Sequence, residues 1–221
     1  LDAWSSISSL KDYSKPLFIK NLKPYIKLED FGNVGLDNSV KNDIILRNKN
    51  LIITGPNASG KSTFLKSIIT NIILSQTICL SNSKKMVITP FTHINTYLNI
   101  PDCQGKESLF QAEMNRCYNQ IDLLKQMKKD EFVFTIMDEI FVSTNYQEGV
   151  SGAYAICKKN DYVLLGACIF FIEIHCVFVE TEMILLKASY NSMKIICFGC
   201  KPHAICKKKN DYVLFGGCIL F

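Results

Sequence analysis

Leu51-Ile52-Ile53-Thr54-Gly55-Pro56-Asn57-Ala58-Ser59-Gly60-Lys61-Ser62 is the stretch on which the reading of this chain turns. A short β-branched run ends in a glycine, and Gly55 to Ser62 satisfies G-x-x-x-x-G-K-[ST] at every fixed position. From Ser62 onward, Leu65, Ile68, Ile69, Ile72 and Ile73 recur at spacings of three and four, which predicts a helix face. Strand, glycine loop and helix in that order make a phosphate cradle. Gly55 and Gly60 let the backbone curl, so that the N–H groups of Gly55, Pro56–Ser59 and Gly60, proline excepted, turn toward phosphate oxygens. The helix that starts near Lys61 adds its positive dipole end. Lys61 is expected to reach the β- and γ-phosphates, and the Ser62 hydroxyl to ligate Mg²⁺.

Such a loop needs a carboxylate at the end of a neighbouring strand. Phe132 to Met137 is a continuous apolar run of strand length, as in a strand buried on both faces of a parallel sheet. It delivers Asp138 and Glu139 at its carboxyl end, where ligands bind in open α/β sheets. Asp138 is expected to hold the Mg²⁺ shell through water, and Glu139 to orient or deprotonate an attacking water. Between loop and carboxylates, Phe110, Met114, Cys117, Ile121 and Leu124 are spaced four, three, four and three, which predicts a second helix with that face inward.

Composition sets the outer bounds. The 221 residues carry a net charge of +5, with 48% hydrophobic and 20% charged side chains, which excludes disordered and collagen-like chains. Residues 1–156 hold 17 basic and 15 acidic side chains, too even a balance to indicate a nucleic-acid surface by charge. The longest apolar run, Tyr162–Ile172, falls short of the roughly 18 residues that span a bilayer, so no membrane is expected. Leu1 opens the chain in place of Met, which suits a fragment or processed product. No leader is visible, and scattered thiols suit an intracellular, reducing compartment.

The chain reads as three stretches. Residues 1–30, with Pro16 and Pro24 and a helical start at Ala3–Leu10, resemble a connector; 31–156 alternate strand and helix signals. Residues 157–221 hold seven of the ten cysteines and an internal repeat. Lys159–Phe171 and Lys209–Phe221 agree at ten of thirteen positions, too few copies for a solenoid. A recent duplication, or a stretch never selected as protein, accounts for them. Cys197, Cys200, His203 and Cys206 have zinc-ligand chemistry, but four ligands at every third residue with Pro202 inside are cramped, so no zinc site is assigned.

At this point a resemblance becomes specific. Ile53 to Thr63 resembles the T-G-P-N-x-x-G-K-S-T loop of the MutS family of DNA mismatch repair ATPases. Glu107-Ser108-Leu109-Phe110-Gln111-Ala112-Glu113-Met114 resembles that family's S-T-F-x-x-E-M signature. Asp138-Glu139-Ile140 with Ser143-Thr144-Asn145 and Glu148-Gly149 resembles D-E-L-x-x-x-T-S-T-x-x-G. The wording is most similar to divergent MutS-like proteins of large DNA viruses. The resemblance covers roughly residues 30–156.

It implies an α/β fold: a P-loop NTPase of the ABC type, a mostly parallel sheet flanked by helices, here with an irregular C-terminal extension. It implies ATP and Mg²⁺ as cofactors, with Gly55, Pro56, Asn57, Ala58, Ser59, Gly60, Lys61, Ser62 and Thr63 on the phosphates and Val40 near the adenine. It implies a head-to-tail homo- or heterodimer with a MutS-like subunit, in which Ser108 offers its hydroxyl and N–H to the γ-phosphate held by the partner. Mismatched double-stranded DNA would be gripped by domains outside this chain. Two departures stand out. Phe141-Val142 replaces the family's glycine-and-arginine turn, and no Thr-His pair follows the signature helix; His175 is the candidate for that histidine's role as γ-phosphate sensor. The helix-turn-helix dimerisation region expected farther on is absent. A nucleotide-binding but hydrolysis-deficient remnant, acting only as an interaction piece, is therefore a rival reading. A different ABC-type DNA ATPase of the recombination or chromosome-structure class ranks last, for want of an L-S-G-G signature.

Overall fold

The computed structural model describes residues 13–47, 50–54, 59–98, 108–128, 130–138, 140–141, 143–145, 148–149, 151–152 and 155–156, and the strand backbones 166–171, 193–198 and 212–215. The chain divides into two compact units: residues through Arg47 with Ser62–Pro90, and Asn48–Lys61 with Phe91–Phe221.

The first unit is built on strands β1 (Leu17–Phe18), β2 (Tyr25–Phe31), β3 (Asn42–Arg47) and β5 (Lys85–Ile88), in the order β1-β5-β2-β3. β2 runs antiparallel to both neighbours, and β1 pairs parallel with β5. Alternation decides which face is inward: Ile26 and Leu28, Ile44 and Leu46, and Met86 and Ile88 are all buried, while Asp43, Ile45 and Arg47 face out. Pairing of β2 with β3 shifts between Leu28 and Phe31, where Asp30 takes a φ of 53° and its N–H donates to Asp43 Oδ1 at 2.6 Å. Helix α1 (Lys61–Ile78) belongs here from Ser62 onward. Leu65, Ile68, Ile69 and Ile72 are buried as its periodicity requires, Phe64 meets the Phe31 ring, and Ile73, expected on the same face, is 43% exposed. Asn71, fully buried, is satisfied locally: its Nδ2 donates to Gly32 O and Ser67 O, and its Oδ1 accepts from Ser81 Oγ. Two strands of this sheet, Leu17–Phe18 and Tyr25–Phe31, thus come from the stretch that sequence reads as a connector.

The second unit holds a six-stranded sheet, wholly parallel, in the order β10-β9-β4-β8-β7-β6. Its strands are β4 (Asn50–Thr54), β6 (His93–Tyr97), β7 (Val133–Met137), β8 (Gly166–Phe171), β9 (Met193–Phe198) and β10 (Tyr212–Phe215). Helix α2 (Leu109–Gln126) carries the chain from β6 to its parallel neighbour β7, the usual βαβ crossover. β7 is buried at all five positions, as its continuous apolar run requires.

Two expectations are corrected here. Residues beyond 156 do not form an irregular extension throughout, because 166–171, 193–198 and 212–215 are strands of this sheet. The face of α2 is also rotated. It buries Glu113, Cys117, Gln120 and Leu124, while Phe110 and Met114 are 38% and 44% exposed. Gln120 is accommodated because Nε2 donates to Thr135 Oγ1 at 2.7 Å and Oε1 accepts from Asn95 Nδ2. No helix among the described residues is long and apolar enough to cross a membrane.

Candidate nucleotide site

The loop strand and the carboxylate strand end at one level of the sheet. β8 is in register with both: Ile53 pairs with Phe171, and Met137 with Phe170. The carboxyl ends of β4 and β7 therefore lie two strand spacings apart, about 10 Å. The strand that delivers Asp138 is not the immediate neighbour of β4, as sequence reading expects; β8 stands between them. That gap is wide enough to seat a phosphate chain and its cation between the loop and the carboxylate.

Gly60 takes a φ of 87°, a conformation that favours glycine, and turns the chain into α1. Lys61 is the first helical residue and only 5% exposed. Ser59 Oγ is out of solvent and has no hydrogen-bond partner among the described residues. A buried lysine and a shielded hydroxyl thus stand at the start of an 18-residue helix, whose N-terminal end favours an anion. Ser62 is half-buried and Thr63 exposed in the first turn of α1, and Val40 is 56% exposed just before β3. Gly55, Pro56, Asn57, Ala58, Glu139, His175, Cys200, His203 and Cys206 lie outside the described residues, as does the side chain of Cys197.

Asp138 is buried at 7% exposure, and its N–H donates to Tyr97 O at 2.9 Å, which ties the end of β7 to the end of β6. Ile140 and Phe141 follow it inward, with Phe141 at 4% exposure and a φ of 59°. Left-handed backbone at a bulky residue is costly, and this is the position where the resembling family keeps glycine. The ring is held on two sides: its centroid lies 6.2 Å from that of Phe110, and a Cβ built on Gly152 would come within 2.8 Å of Cε2. Farther on, Glu148 N–H donates to Asn145 Oδ1 and Thr144 Oγ1 to Glu148 Oε2. The Thr144 hydroxyl, and then Asn145, hold that carboxyl below its ordinary range.

Ser108 caps α2. Its φ of −66° and ψ of 148° are extended, and its Oγ accepts from Gln111 N–H at 3.2 Å. It is exposed. Sequence reading missed Glu113 as a site-adjacent group. It is 2% exposed on α2 and accepts a hydrogen bond from Ser143 Oγ. Burial first, and then the Glu113 charge, push the Cys117 thiol up to about 12 and hold the Tyr97 phenol well above its usual value. The signal was present, since the signature segment carries a fixed glutamate inside an otherwise amphipathic helix.

Comparison with known proteins agrees with this geometry. A sequence profile described as MutS domain V matches residues 51–195, well over half the chain and past residue 156. The chain is 32% identical over 159 residues to the DNA mismatch repair protein MutS of Thermotoga sp. (strain RQ2), covering 68% of this chain and 19% of that protein. It is 31% identical over 179 residues to the DNA mismatch repair protein Msh3 of Dictyostelium discoideum, covering 75% of this chain and 12% of that protein. The chain thus spans about a fifth or less of these curated relatives' length. With the matched stretch running from β4 through the Asp138 turn to β9, the chain belongs to the MutS family of DNA mismatch repair proteins.

Proposed function

We propose that this chain is the ATP-binding and ATP-hydrolysing motor of a mismatch repair protein, an ABC-type P-loop domain that works as a dimer. The observation that carries the reading is a glycine turn and a buried Lys61 that follow β4 in sequence, together with a buried Asp138 directly after β7, β4 and β7 ending at about the same level of the sheet. Gly55–Gly60 would wrap the phosphates, Lys61 would neutralise their charge, and Thr63 and Val40 would bound the nucleotide. Ser62 and Asp138 would hold Mg²⁺, which supplies charge neutralisation on the transferred phosphoryl group. Glu139 would accept the proton of the attacking water, and Ser108 would complete the site of a partner subunit. Turnover would then alter the grip on mismatched double-stranded DNA of domains outside this chain.

The test is equilibrium ATP binding alongside single-turnover hydrolysis by the wild-type chain, Lys61→Ala and Glu139→Gln. Lys61→Ala should lose binding; Glu139→Gln should bind ATP and not hydrolyse it. Equal turnover in wild type and Glu139→Gln would remove Glu139 from its role. The hydrolysis-deficient reading draws support from Phe141, a bulky left-handed residue at the turn after Glu139. Wild-type binding with no turnover at any protein concentration would establish that reading instead.

A further inference from the structure

Glu113 is a buried carboxylate among the described residues that the proposed mechanism does not use. An apolar side chain at that position would seal α2 against the sheet at lower cost than a carboxylate. What the carboxylate adds is a directed acceptor, and the structure shows what it accepts. Ser143, five residues past Asp138, donates to it. Tyr97, whose carbonyl receives the Asp138 N–H, feels its charge. One turn nearer the start of the same helix, Phe110 meets Phe141. Asp138 is therefore held by β6, and Phe141 and Ser143 by two side chains of α2. Glu139 lies between these residues in sequence, and Ser108 is the cap of the helix that supplies those side chains.

We propose that Glu113, through Ser143, is a positioning residue that makes the stretch after β7, to which Glu139 belongs in sequence, and the helix capped by Ser108 move together. The state of this chain's own nucleotide site is thereby relayed to the serine it offers a partner. The inference rests on the reading that Glu139 and Ser108 serve nucleotide sites. It goes beyond that reading by joining two sites that are otherwise separate. Coupling of this kind needs a contiguous element whose arrangement both sites bias, and the Ser143–Glu113 hydrogen bond is such an element.

Ser143 is the place to test it, because it is exposed and its replacement leaves no buried cavity. The full chain carrying Glu139→Gln is the parent, so that ATP·Mg²⁺ is bound and not consumed. Amide exchange of Gln111 and Ala112, whose N–H groups close the first turn on Ser108, is read with and without nucleotide. Nucleotide should slow that exchange by about tenfold in the parent and by less than about twofold once Ser143→Ala is added, with ATP affinity unchanged. Ser143→Thr, which keeps the hydroxyl, should restore the response; a merely structural loss would not be rescued this way. An unchanged response in Ser143→Ala overturns the coupling. So does a parent that binds ATP without any change at Gln111 and Ala112, and in that case the nucleotide-site reading stands. A parent that does not bind ATP overturns the functional reading and this inference with it.

Discussion

Phe141 offers a test in which the structure reverses the usual order of two substitutions. It is buried, so cutting the ring back to a methyl should cost about 3–5 kcal/mol. Its φ of 59° adds a separate penalty of about 1–2 kcal/mol, which alanine keeps and glycine removes. Glycine carries an unfolded-state entropy cost of about 0.5–1 kcal/mol. The balance makes Phe141→Gly the more stable of the two variants by up to about 1 kcal/mol, whereas in an ordinary helix or strand glycine is the worse choice. Gly152 sharpens the argument. A methyl there would lie 2.8 Å from Phe141 Cε2 and 2.9 Å from Cδ2, so Gly152→Ala should cost about 1–3 kcal/mol by overpacking in the wild type. With the ring gone the clash is gone, and Gly152, which sits in helical backbone, should gain up to about 1 kcal/mol from alanine. The same substitution thus changes sign between the two backgrounds. Urea unfolding of the four chains, with midpoints compared at equal m-values, measures the cycle. If Gly152→Ala costs the same in both backgrounds, or Phe141→Ala proves more stable than Phe141→Gly, the account of this turn is wrong.

Two further expectations follow from α2. Ser108→Ala removes the cap bond to Gln111 N–H and should cost about 1 kcal/mol, while Ser108→Gly should cost only a few tenths. If Ser108 also serves a partner's γ-phosphate, both variants lose dimer-dependent turnover alike, and a turnover loss that tracks the stability loss would confine the serine to capping. The Cys117 thiol, raised by burial from 9.0 to about 12, stays protonated in the folded chain while the unfolded chain ionises. Stability from this group is therefore complete below pH 9 and falls as pH rises toward about 12, which urea midpoints across that range and in Cys117→Ala should separate.

A candidate nucleotide site could be proposed from sequence because its chemistry is strictly local. Gly55 to Ser62 and Asp138-Glu139 each declare their purpose within a few residues, and the strands before them need no tertiary help to be recognised. The faces of α2 were not legible, for a physical reason. Periodicity assigns Glu113 and Gln120 to solvent because a lone polar side chain belongs there. Both are inside because Ser143, Asn95 and Thr135 arrive from other elements to satisfy them. β2 was hidden in another way: Pro16 and Pro24 read as breakers, but Pro24 stands just before the strand, where its missing N–H costs nothing.

The C-terminal third shows how a local reading misjudges a parallel sheet. Repeated, cysteine-rich sequence after Ile156 has the marks of a replaced end. Yet β4, the strand that presents the phosphate loop, has β8 on one side and β9 on the other, and both come from beyond that point. A strand interior to a sheet must place its N–H and C=O groups on two neighbours, and no described strand before Ile156 supplies either one. β6 and β7 pair with each other, and β7 reaches β4 only through β8. Whatever the history of the repeat, the first copy's Gly166–Phe171 strand bridges the phosphate loop to Asp138, and the distance between them is set by that strand's presence. The family match running through residue 195 fits this arrangement, because the last matched residues are those that close the other edge of β4. The candidate nucleotide site would thus be assembled from three sequence-distant strands, with the one bearing no candidate site residue fixing the spacing of the other two.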